Sequence, residues 1–179
     1  MTSTLIIGGG AIGLSLAYHL TRLGEQVTLL ERNQLTSGTS WHAAGIVGPL
    51  RATPNLTHLA MYAGELFPRL EAETGLSTGY RRTGGYWIAR DPARMDELHR
   101  IAALGRHVGL TPTVVPPQSI DVPGLSLDGV TGALRVEEDA NVNPVDLCMA
   151  YARAARAQGA EIREGTEVAA LLIENGTAK

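Results

Sequence analysis

The sequence predicts an α/β fold, in which helices cover a parallel sheet, and three observations support that prediction. A short apolar stretch, Leu5–Ile7, runs into the glycine-rich turn Gly8–Gly13 and then into a segment with helical spacing. A second apolar run, Val27–Leu30, follows that segment and ends on Glu31. A strand, a tight turn, a helix and a second strand form the βαβ unit from which parallel sheets are built.

Each glycine of the turn has its own physical role. Gly8 allows the sharp turn out of the strand, Gly10 lets a pyrophosphate approach the backbone and the helix N-terminus, and Gly13 lets the helix pack against the strand. Glu31 follows at the spacing at which a carboxylate accepts hydrogen bonds from a ribose. We therefore predict a Rossmann-like dinucleotide-binding corner; a glycine turn without a ligand is the alternative, and the motif leaves NAD and FAD both open. The neighbouring residues that we also predict to contact the dinucleotide are Ala11, Ile12 and Arg32.

Composition narrows the classes of function. The chain has 179 residues, of which 44% are hydrophobic and 18% charged, and its formal net charge is −3. This length allows one domain with a sizeable core, or one domain and part of another. Because the arginines are scattered and balanced by acids, no basic face predicts nucleic-acid binding. The single cysteine, Cys148, excludes a disulfide framework within the chain and a cysteine-rich zinc site, and we predict no metal site.

The apolar N-terminus lacks the pattern of a signal peptide. Residues Met1–Thr4 carry no side-chain positive charge, and the glycines interrupt the apolar run. No uncharged stretch reaches membrane-spanning length without those glycines and His19 inside it. Together with the single cysteine, this predicts a cytoplasmic protein without a membrane partner.

Four helices are predicted from apolar spacing and from residues that begin and end helices. The first covers about residues 11–23, and the second covers about residues 55–73 with Pro68 as an irregularity inside it. Two later helices begin at a polar cap followed by a proline, at Asp91–Pro92 and at Asn143–Pro144.

The later strands are predicted from alternating polarity and from β-branched residues. Residues 111–117 form a linker or an edge segment, because proline cannot donate to a central ladder. Tyr86 and Trp87 are predicted to pack in a sheet, with a role as substrate-cage aromatics as the alternative. The segments predicted as strands are residues 85–89, 130–136, 160–163 and 166–173.

Two short polar segments lie between or after these elements. Glu137–Asp139 is a run of three acids that we predict to be a solvated turn, with contact to a cationic amine as the alternative. Glu174–Gly176 is a hairpin turn signal, but only three residues follow it, too few for a return strand of comparable length. We therefore expect the chain to be truncated within this element.

Residues 32–45 have an unusual composition for a loop. Small residues and hydroxyl residues surround one bulky pair, Trp41–His42, and the segment leads into the apolar run Ala43–Val47. Small residues let a flat ligand lie against the backbone, and hydroxyls and amides offer donors to phosphate. A solvent-exposed loop is the alternative, but it does not account for the tryptophan.

The segment Leu35–Gly45 resembles the flavin loop of the dimethylglycine and sarcosine dehydrogenases, FAD-dependent amine oxidoreductases of the D-amino-acid oxidase superfamily. Residues 70–75 and 92–97 also resemble family segments, and the Trp-His pair is the most specific match. The resemblance implies FAD as the cofactor and a covalent bond to it from His42; packing of His42 against a non-covalent flavin is the alternative. The flavin-contacting residues that the resemblance implies here are Gly38, Thr39, Ser40, Trp41, His42, Ala43, Ala44, Gly45 and Ile46.

The resemblance also implies a domain arrangement, in which a Rossmann-like FAD-binding domain is interleaved with an antiparallel-sheet substrate domain. It assigns residues 1–80 to the FAD-binding part, 81–140 to part of the substrate or cap domain, and 141–179 to an incomplete return to the FAD-binding domain. That return places the backbone at Val168 beside the adenine. Because the family supplies most residues around the substrate later in the chain, no catalytic base is assigned.

The sequence therefore predicts FAD-dependent oxidation of the C–N bond of a small-molecule amine, an N-methyl amino acid of the sarcosine or dimethylglycine type, with this chain as the N-terminal portion. The alternative is an FAD-binding subunit or fragment that is inactive alone and is completed by a second polypeptide. An NAD-dependent dehydrogenase would keep the glycine motif but gives no reason for residues 37–45.

Overall fold

A computed structural model of the chain describes residues 3–174 and, by their backbone alone, residues 177–178. Two single 3-10 turns, Ser40–His42 and Pro117–Ser119, accompany the regular elements. In chain order, these elements are β1 (Ser3–Ile7), α1 (Ala11–Arg22), β2 (Gln26–Leu30), β3 (Ile46–Val47), α2 (Pro54–Thr74), β4 (Arg81–Arg82), β5 (Gly85–Ala89), α3 (Pro92–His107), β6 (Thr113–Val115), β7 (Gly132–Val136), β8 (Ala140–Asn141), α4 (Pro144–Ala157), β9 (Glu161–Arg163), β10 (Ile173–Glu174) and β11 (Thr177–Ala178).

The chain divides into two compact units that alternate along the sequence. Unit 1 is formed by Met1–Gly45, Pro68–Gly79 and Asn143–Lys179, and unit 2 by Ile46–Phe67 and Tyr80–Val142. The predicted α/β fold with interleaved parts is therefore confirmed. The functional assignment of the three predicted domains stays a prediction, and its boundaries differ from this division over residues 46–67, 80 and 141–142.

Unit 1 contains a parallel sheet with the order β1-β2-β9. Ile7 lies opposite Leu30 in the first strand pair, so both strands end at the same edge of the sheet. In the second pair, Leu30 lies opposite Arg163. The carboxyl ends of all three strands therefore meet at one edge, where α/β proteins bind ligands.

Helices α1 and α4 pack on each other and on this sheet. Leu14, Ala17 and Tyr18 are buried on α1, and the Tyr18 ring lies 5.4 Å from the ring of Tyr151 on α4. Asn143 caps α4 by accepting a hydrogen bond from the Val145 N–H at 3.0 Å. The expected start of this helix at an Asn-Pro pair is thus confirmed.

Unit 2 is built on two three-stranded antiparallel sheets, β5-β7-β6 and β3-β8-β4. Helix α3 packs against the first sheet through Leu98 and Ala102, which share a buried cluster with Leu134 and Val136. Asp91 caps this helix, accepting from the Arg94 N–H at 2.8 Å. The segment around residues 111–117 contributes β6 at the edge of that sheet, as its prolines predict.

Two predictions are wrong. Residues 166–172 do not form a strand, although the sequence there runs into consecutive apolar residues, because their backbone pairs with no strand among the described residues. The segment Glu137–Asp139 is not a solvated turn throughout, since Asp139 is buried with only 8% of its surface exposed. Of the predicted hairpin turn, Asn175 and Gly176 lie outside the described residues, while Glu174 pairs with Thr177 in antiparallel fashion.

In the part of the chain that the structure describes, no helix has the length and apolar character that crossing a membrane requires.

Candidate functional site

The glycine corner joins β1 to α1 at the carboxyl edge of the parallel sheet. Gly8 has a φ of +107°, a left-handed conformation that glycine adopts without strain. A Cβ on Gly13 would lie 2.0 Å from the Gly8 carbonyl oxygen, so the helix can start this close to the strand only with glycine there. Gly10 precedes the helix and has no side chain to cap it. Gly10 therefore leaves first-turn N–H groups of α1 to acceptors from outside the helix, as the N-terminus of a helix that binds an anion requires.

Ser40 brings the segment that follows β2 to this helix N-terminus. Its Oγ accepts a hydrogen bond from the Ala11 N–H at 3.0 Å, and a Cβ on Gly10 would lie 3.0 Å from the same oxygen. Burial raises the pKa of the Cys148 thiol on α4, and the Ser40 hydroxyl opposes that shift. The segment that resembles a flavin loop thus reaches the point where a helix dipole favours a phosphate.

Glu31 stands at the end of β2 with its carboxylate turned toward the corner. Its oxygens accept hydrogen bonds from the backbone N–H of Asn33 at 2.9 Å and of Gly9 at 2.7 Å. These bonds lower the pKa of Glu31 below its ordinary value. The group is therefore an ionised acceptor at neutral pH, as recognition of ribose hydroxyls requires.

A cleft of about 280 Å³ opens beside this carboxylate. The Thr166 N–H donates to the Glu31 carbonyl oxygen at 2.8 Å, which fixes residues 166–168 along one wall. The corner, the end of β2 and this segment line the cleft: Ile7, Gly8, Leu30, Glu31, Arg32, Thr166, Glu167 and Val168. The predicted residues at positions 8, 31, 32 and 168 are therefore brought together.

Trp41 and His42 follow Ser40 in one 3-10 turn. The two rings lie 3.8 Å apart, inclined at 36°, and both side chains are exposed. The His42 N–H donates to the Thr39 carbonyl oxygen at 3.2 Å, which fixes the backbone of the turn. Within residues 3–174, the His42 imidazole makes no hydrogen bond of its own, so its nitrogens are accessible.

Not every predicted contact residue lines the cleft beside Glu31. Ile12 is 79% exposed on α1, and Ile46 belongs to unit 2, where it pairs with Asn141. Neither Ile12 nor Ile46 is among the residues that line the cleft beside Glu31. The remaining residues of the loop that are exposed are Gly38, Thr39, Ala43 and Ala44, while Gly45 is buried.

Sequence reasoning missed Gly9 and its neighbours. A Cβ on Gly9 would lie 2.5 Å from Leu35 Cδ2 and 3.0 Å from Glu31 Cβ, and the Gly9 carbonyl oxygen accepts from the Thr36 N–H at 3.0 Å. Leu35 in turn donates its N–H to the Glu164 carboxylate at 2.7 Å. The extra glycine between Gly8 and Gly10 was the only signal of this packing in the sequence.

Among residues 3–174, no three or more His, Cys, Asp or Glu side chains lie close enough together to hold a metal ion.

The fold and the corner together define a protein with the geometry of a dinucleotide-binding α/β domain. Comparison with known proteins gives the particular family, because residues 3–179 match the family described as FAD dependent oxidoreductase, abbreviated DAO. The chain belongs to this family. Membership decides between the two dinucleotides in favour of FAD, and the residues at the corner fit that cofactor.

Individual relatives are similar over nearly the whole chain. Human mitochondrial sarcosine dehydrogenase is 37% identical over 175 residues, which are 96% of this chain and 19% of the relative. A mitochondrial pyruvate dehydrogenase phosphatase regulatory subunit from Mus musculus is also 37% identical, over 96% of this chain and 20% of the relative. Among solved structures, glycine oxidase from Bacillus cereus matches with a TM-score of 0.81 and 32% identity, over 97% of this chain and 48% of that one. The chain thus spans about one fifth of the length of these curated relatives.

Proposed function

We propose that this chain binds FAD at the corner of unit 1 and serves in the oxidation of the C–N bond of an N-methyl amino acid, such as sarcosine or dimethylglycine. The observation that carries the proposal is the hydrogen bond between the Ala11 N–H and Ser40 Oγ. It joins the segment that resembles a flavin loop to the helix N-terminus that suits a pyrophosphate. Membership of the FAD-dependent family and the similarity to sarcosine dehydrogenase support the proposal.

Each part of the corner has a separate task in this proposal. The N-terminus of α1 binds the pyrophosphate, the ionised Glu31 accepts from the ribose, and the backbone at Val168 borders the adenine. When bound, FAD supplies the two-electron acceptor for the hydride that leaves the carbon next to the amine nitrogen. The small residues after His42 leave room for a flat ring against the backbone.

His42 is proposed as the residue that bonds covalently to the flavin. A neutral imidazole is a nucleophile near physiological pH, and a nucleophile must be accessible to react. The exposed ring of His42 meets that condition, and its 3-10 turn holds it next to Trp41.

Acid precipitation of the purified chain tests the cofactor and the bond together. Flavin fluorescence is expected in the wild-type pellet, in the supernatant for His42→Ala, and again in the pellet for the control His58→Ala, which removes another exposed histidine. Flavin in the supernatant for the wild type would contradict the covalent bond and leave FAD binding intact. Absence of flavin from both fractions would contradict FAD binding itself.

A second candidate function is an FAD-binding module that is inactive alone and acts with another polypeptide. The similarity to a protein named as a regulatory subunit favours it. Addition of sarcosine or dimethylglycine to the flavin-loaded chain separates the two functions. Bleaching of the flavin absorbance supports the oxidoreductase, and an unchanged spectrum supports the module.

The cellular location stays a prediction. The sequence predicts a cytoplasmic protein, whereas both curated relatives described above are named as mitochondrial. Fractionation of cells that express the protein tests the prediction, and recovery outside the cytoplasmic fraction would refute it.

A further inference from the structure

Unit 2 contains a cleft of about 520 Å³ that the proposed FAD site does not use. The chain after β3 forms one side of it, and α3 forms another. Leu50, Ile101 and Leu104 give the cleft an apolar lining, and the indole of Trp87 adds an aromatic wall. A cleft with these walls suits the apolar body of a small molecule.

Two arginines line the same cleft, and neither is held by a side-chain hydrogen bond among residues 3–174; the charge of Arg51 acts on the nearby carboxyl group of Asp139 and lowers its pKa against the effect of burial. Within the described part of the chain, neither Arg51 nor Arg100 makes a side-chain hydrogen bond or an ion pair. The one acid in the lining, Glu97, is already paired with Arg94 at 2.6 Å. The hydrogen-bond donors of both guanidiniums therefore remain available to an external anion, although the charge of Arg51 is partly compensated by Asp139. A guanidinium fork matches a carboxylate in shape and charge.

The backbone that carries Arg51 is fixed by a buried hydroxyl. Thr57 is fully buried, and its Oγ1 accepts a hydrogen bond from the Arg51 N–H at 3.1 Å. The same hydroxyl group lies 3.0 Å from the Thr53 carbonyl oxygen, to which it donates. The backbone of Arg51 is therefore fixed at the edge of the cleft.

The aromatic wall is held in place by Asp139. The Trp87 Nε1–H donates to Asp139 Oδ2 at 3.4 Å, and the carboxyl group is buried with its Oδ1 unpartnered among the described residues. Gly48 leaves the space for this carboxyl, because a Cβ there would lie 3.1 Å from Oδ1. This buried acid, which the sequence placed in a solvated turn, thus orients the indole.

We propose that this cleft binds an organic carboxylate with an apolar body, whose charge is taken by Arg51 and Arg100 and whose body packs on Trp87 and the aliphatic lining. A zwitterion with its ammonium next to the carboxylate is expected to bind more weakly, since the two guanidiniums repel that cation. The site is therefore assigned to a simple acid rather than to the amine of the proposed reaction. It does not depend on FAD binding.

Benzoate is the probe for this site, and the nuclear magnetic resonance signal of the Trp87 indole N–H is the readout in the ¹⁵N-labelled full chain. Trp87→Phe identifies the signal, because the chain has only two tryptophans. Benzoate is expected to shift the signal saturably, whereas benzamide, its neutral counterpart, and dimethylglycine, a zwitterion, bind at least about tenfold more weakly.

Benzoate binding by variants with one arginine replaced shows which arginines bind the carboxylate. Arg100→Ala is expected to weaken benzoate binding about tenfold, and Arg51→Ala to a similar extent. Arg81→Ala is the matched control, because Arg81 is an exposed arginine of unit 2 outside the lining of the cleft. If Arg51→Ala does not fold, Arg100→Ala decides the test, since Arg100 is exposed on α3.

Three results would overturn the proposal. They are unchanged benzoate binding in Arg100→Ala, equal binding of benzamide, and binding of dimethylglycine as tight as that of benzoate. The last result would make the cleft a substrate subsite. All three readouts are independent of flavin, so they do not bear on the proposed function.

Discussion

Replacement of Gly13 by alanine tests the geometry of the glycine corner most sharply. The new Cβ would lie 2.0 Å from the Gly8 carbonyl oxygen and 3.2 Å from its carbonyl carbon. Both atoms belong to the backbone, so no side-chain rotation relieves the overlap. The start of α1 must move away from β1, and the hydrogen bond from Ala11 to Ser40 must lengthen or break.

The magnitude follows from two opposing effects. Alanine in place of glycine inside a helix gains about 1 kcal/mol from backbone entropy. Overpacking costs about 1–3 kcal/mol where side chains can adjust, and more where they cannot. Because the overlap is with backbone, we expect Gly13→Ala to lower the free energy of unfolding by at least about 2 kcal/mol in net terms.

Urea unfolding followed by far-UV circular dichroism measures this change, with Gly64→Ala as a matched control. Gly64 also lies inside a helix, but a Cβ there would meet only the Tyr80 hydroxyl oxygen, at 3.7 Å. The same substitution is therefore expected to leave stability unchanged or to raise it by up to about 1 kcal/mol. A Gly13→Ala variant as stable as the wild type would refute the close approach of helix and strand.

Three further predictions concern buried or hydrogen-bonded groups. Backbone N–H groups of Asn33 and Gly9 lower the pKa of Glu31 below its ordinary value of 4.5. The Glu31 carboxylate therefore stabilises the folded chain above that pH, and this contribution is lost as pH falls through the folded-state pKa. Glu31→Gln should remove this loss from urea unfolding measured at pH 3–7. Burial raises the pKa of Asp139 above its ordinary value of 3.8. The protonated carboxyl group therefore favours folding below that pH, and this contribution to stability is lost as pH rises. In the same urea unfolding measurements, Asp139→Asn should gain stability relative to the wild type toward neutral pH. Thr57→Val should lose about 1–2 kcal/mol on thermal unfolding, because it leaves the N–H of residue 51 without its acceptor.

Each of these three has a contradicting outcome. A pH profile of Glu31→Gln or Asp139→Asn that runs parallel to the wild-type profile would show that the carboxyl group does not titrate with folding. A Thr57→Val variant with wild-type stability would show that water replaces the lost hydrogen bond. Gln34→Ala, at an exposed position of unit 1, controls for unspecific effects.

Local signals accounted for much of the fold. A capping residue followed by proline predicted the starts of α3 and α4. The glycine turn between two apolar runs predicted β1, α1 and β2. These features depend on a few neighbouring residues, so a single sequence contains them. The predicted strand over residues 166–173 failed because a strand also needs a ladder partner, and no pattern within the segment specifies one.

The sequence predicted the parts of the candidate site that depend on the spacing of residues along the chain. It did not predict the parts that depend on tertiary packing. The roles of Gly8 and Gly13 follow from backbone geometry, and the structure has both in the expected conformation. The contact of Gly9 with Leu35 and the burial of Asp139 depend on residues far away in sequence. Three adjacent acids are typical of a solvated surface. Only the tertiary fold shows that one of them, Asp139, accepts a hydrogen bond from the Trp87 indole.

The amount of flavin bound by the purified chain tests the central claim most directly. After incubation with FAD and gel filtration, the wild type is expected to have flavin absorbance equivalent to one FAD per chain. Gly10→Val should bind none, because its side chain would fill the space between the backbone and Ser40 Oγ. Flavin bound equally by Gly10→Val and by the wild type would contradict a dinucleotide site at this corner.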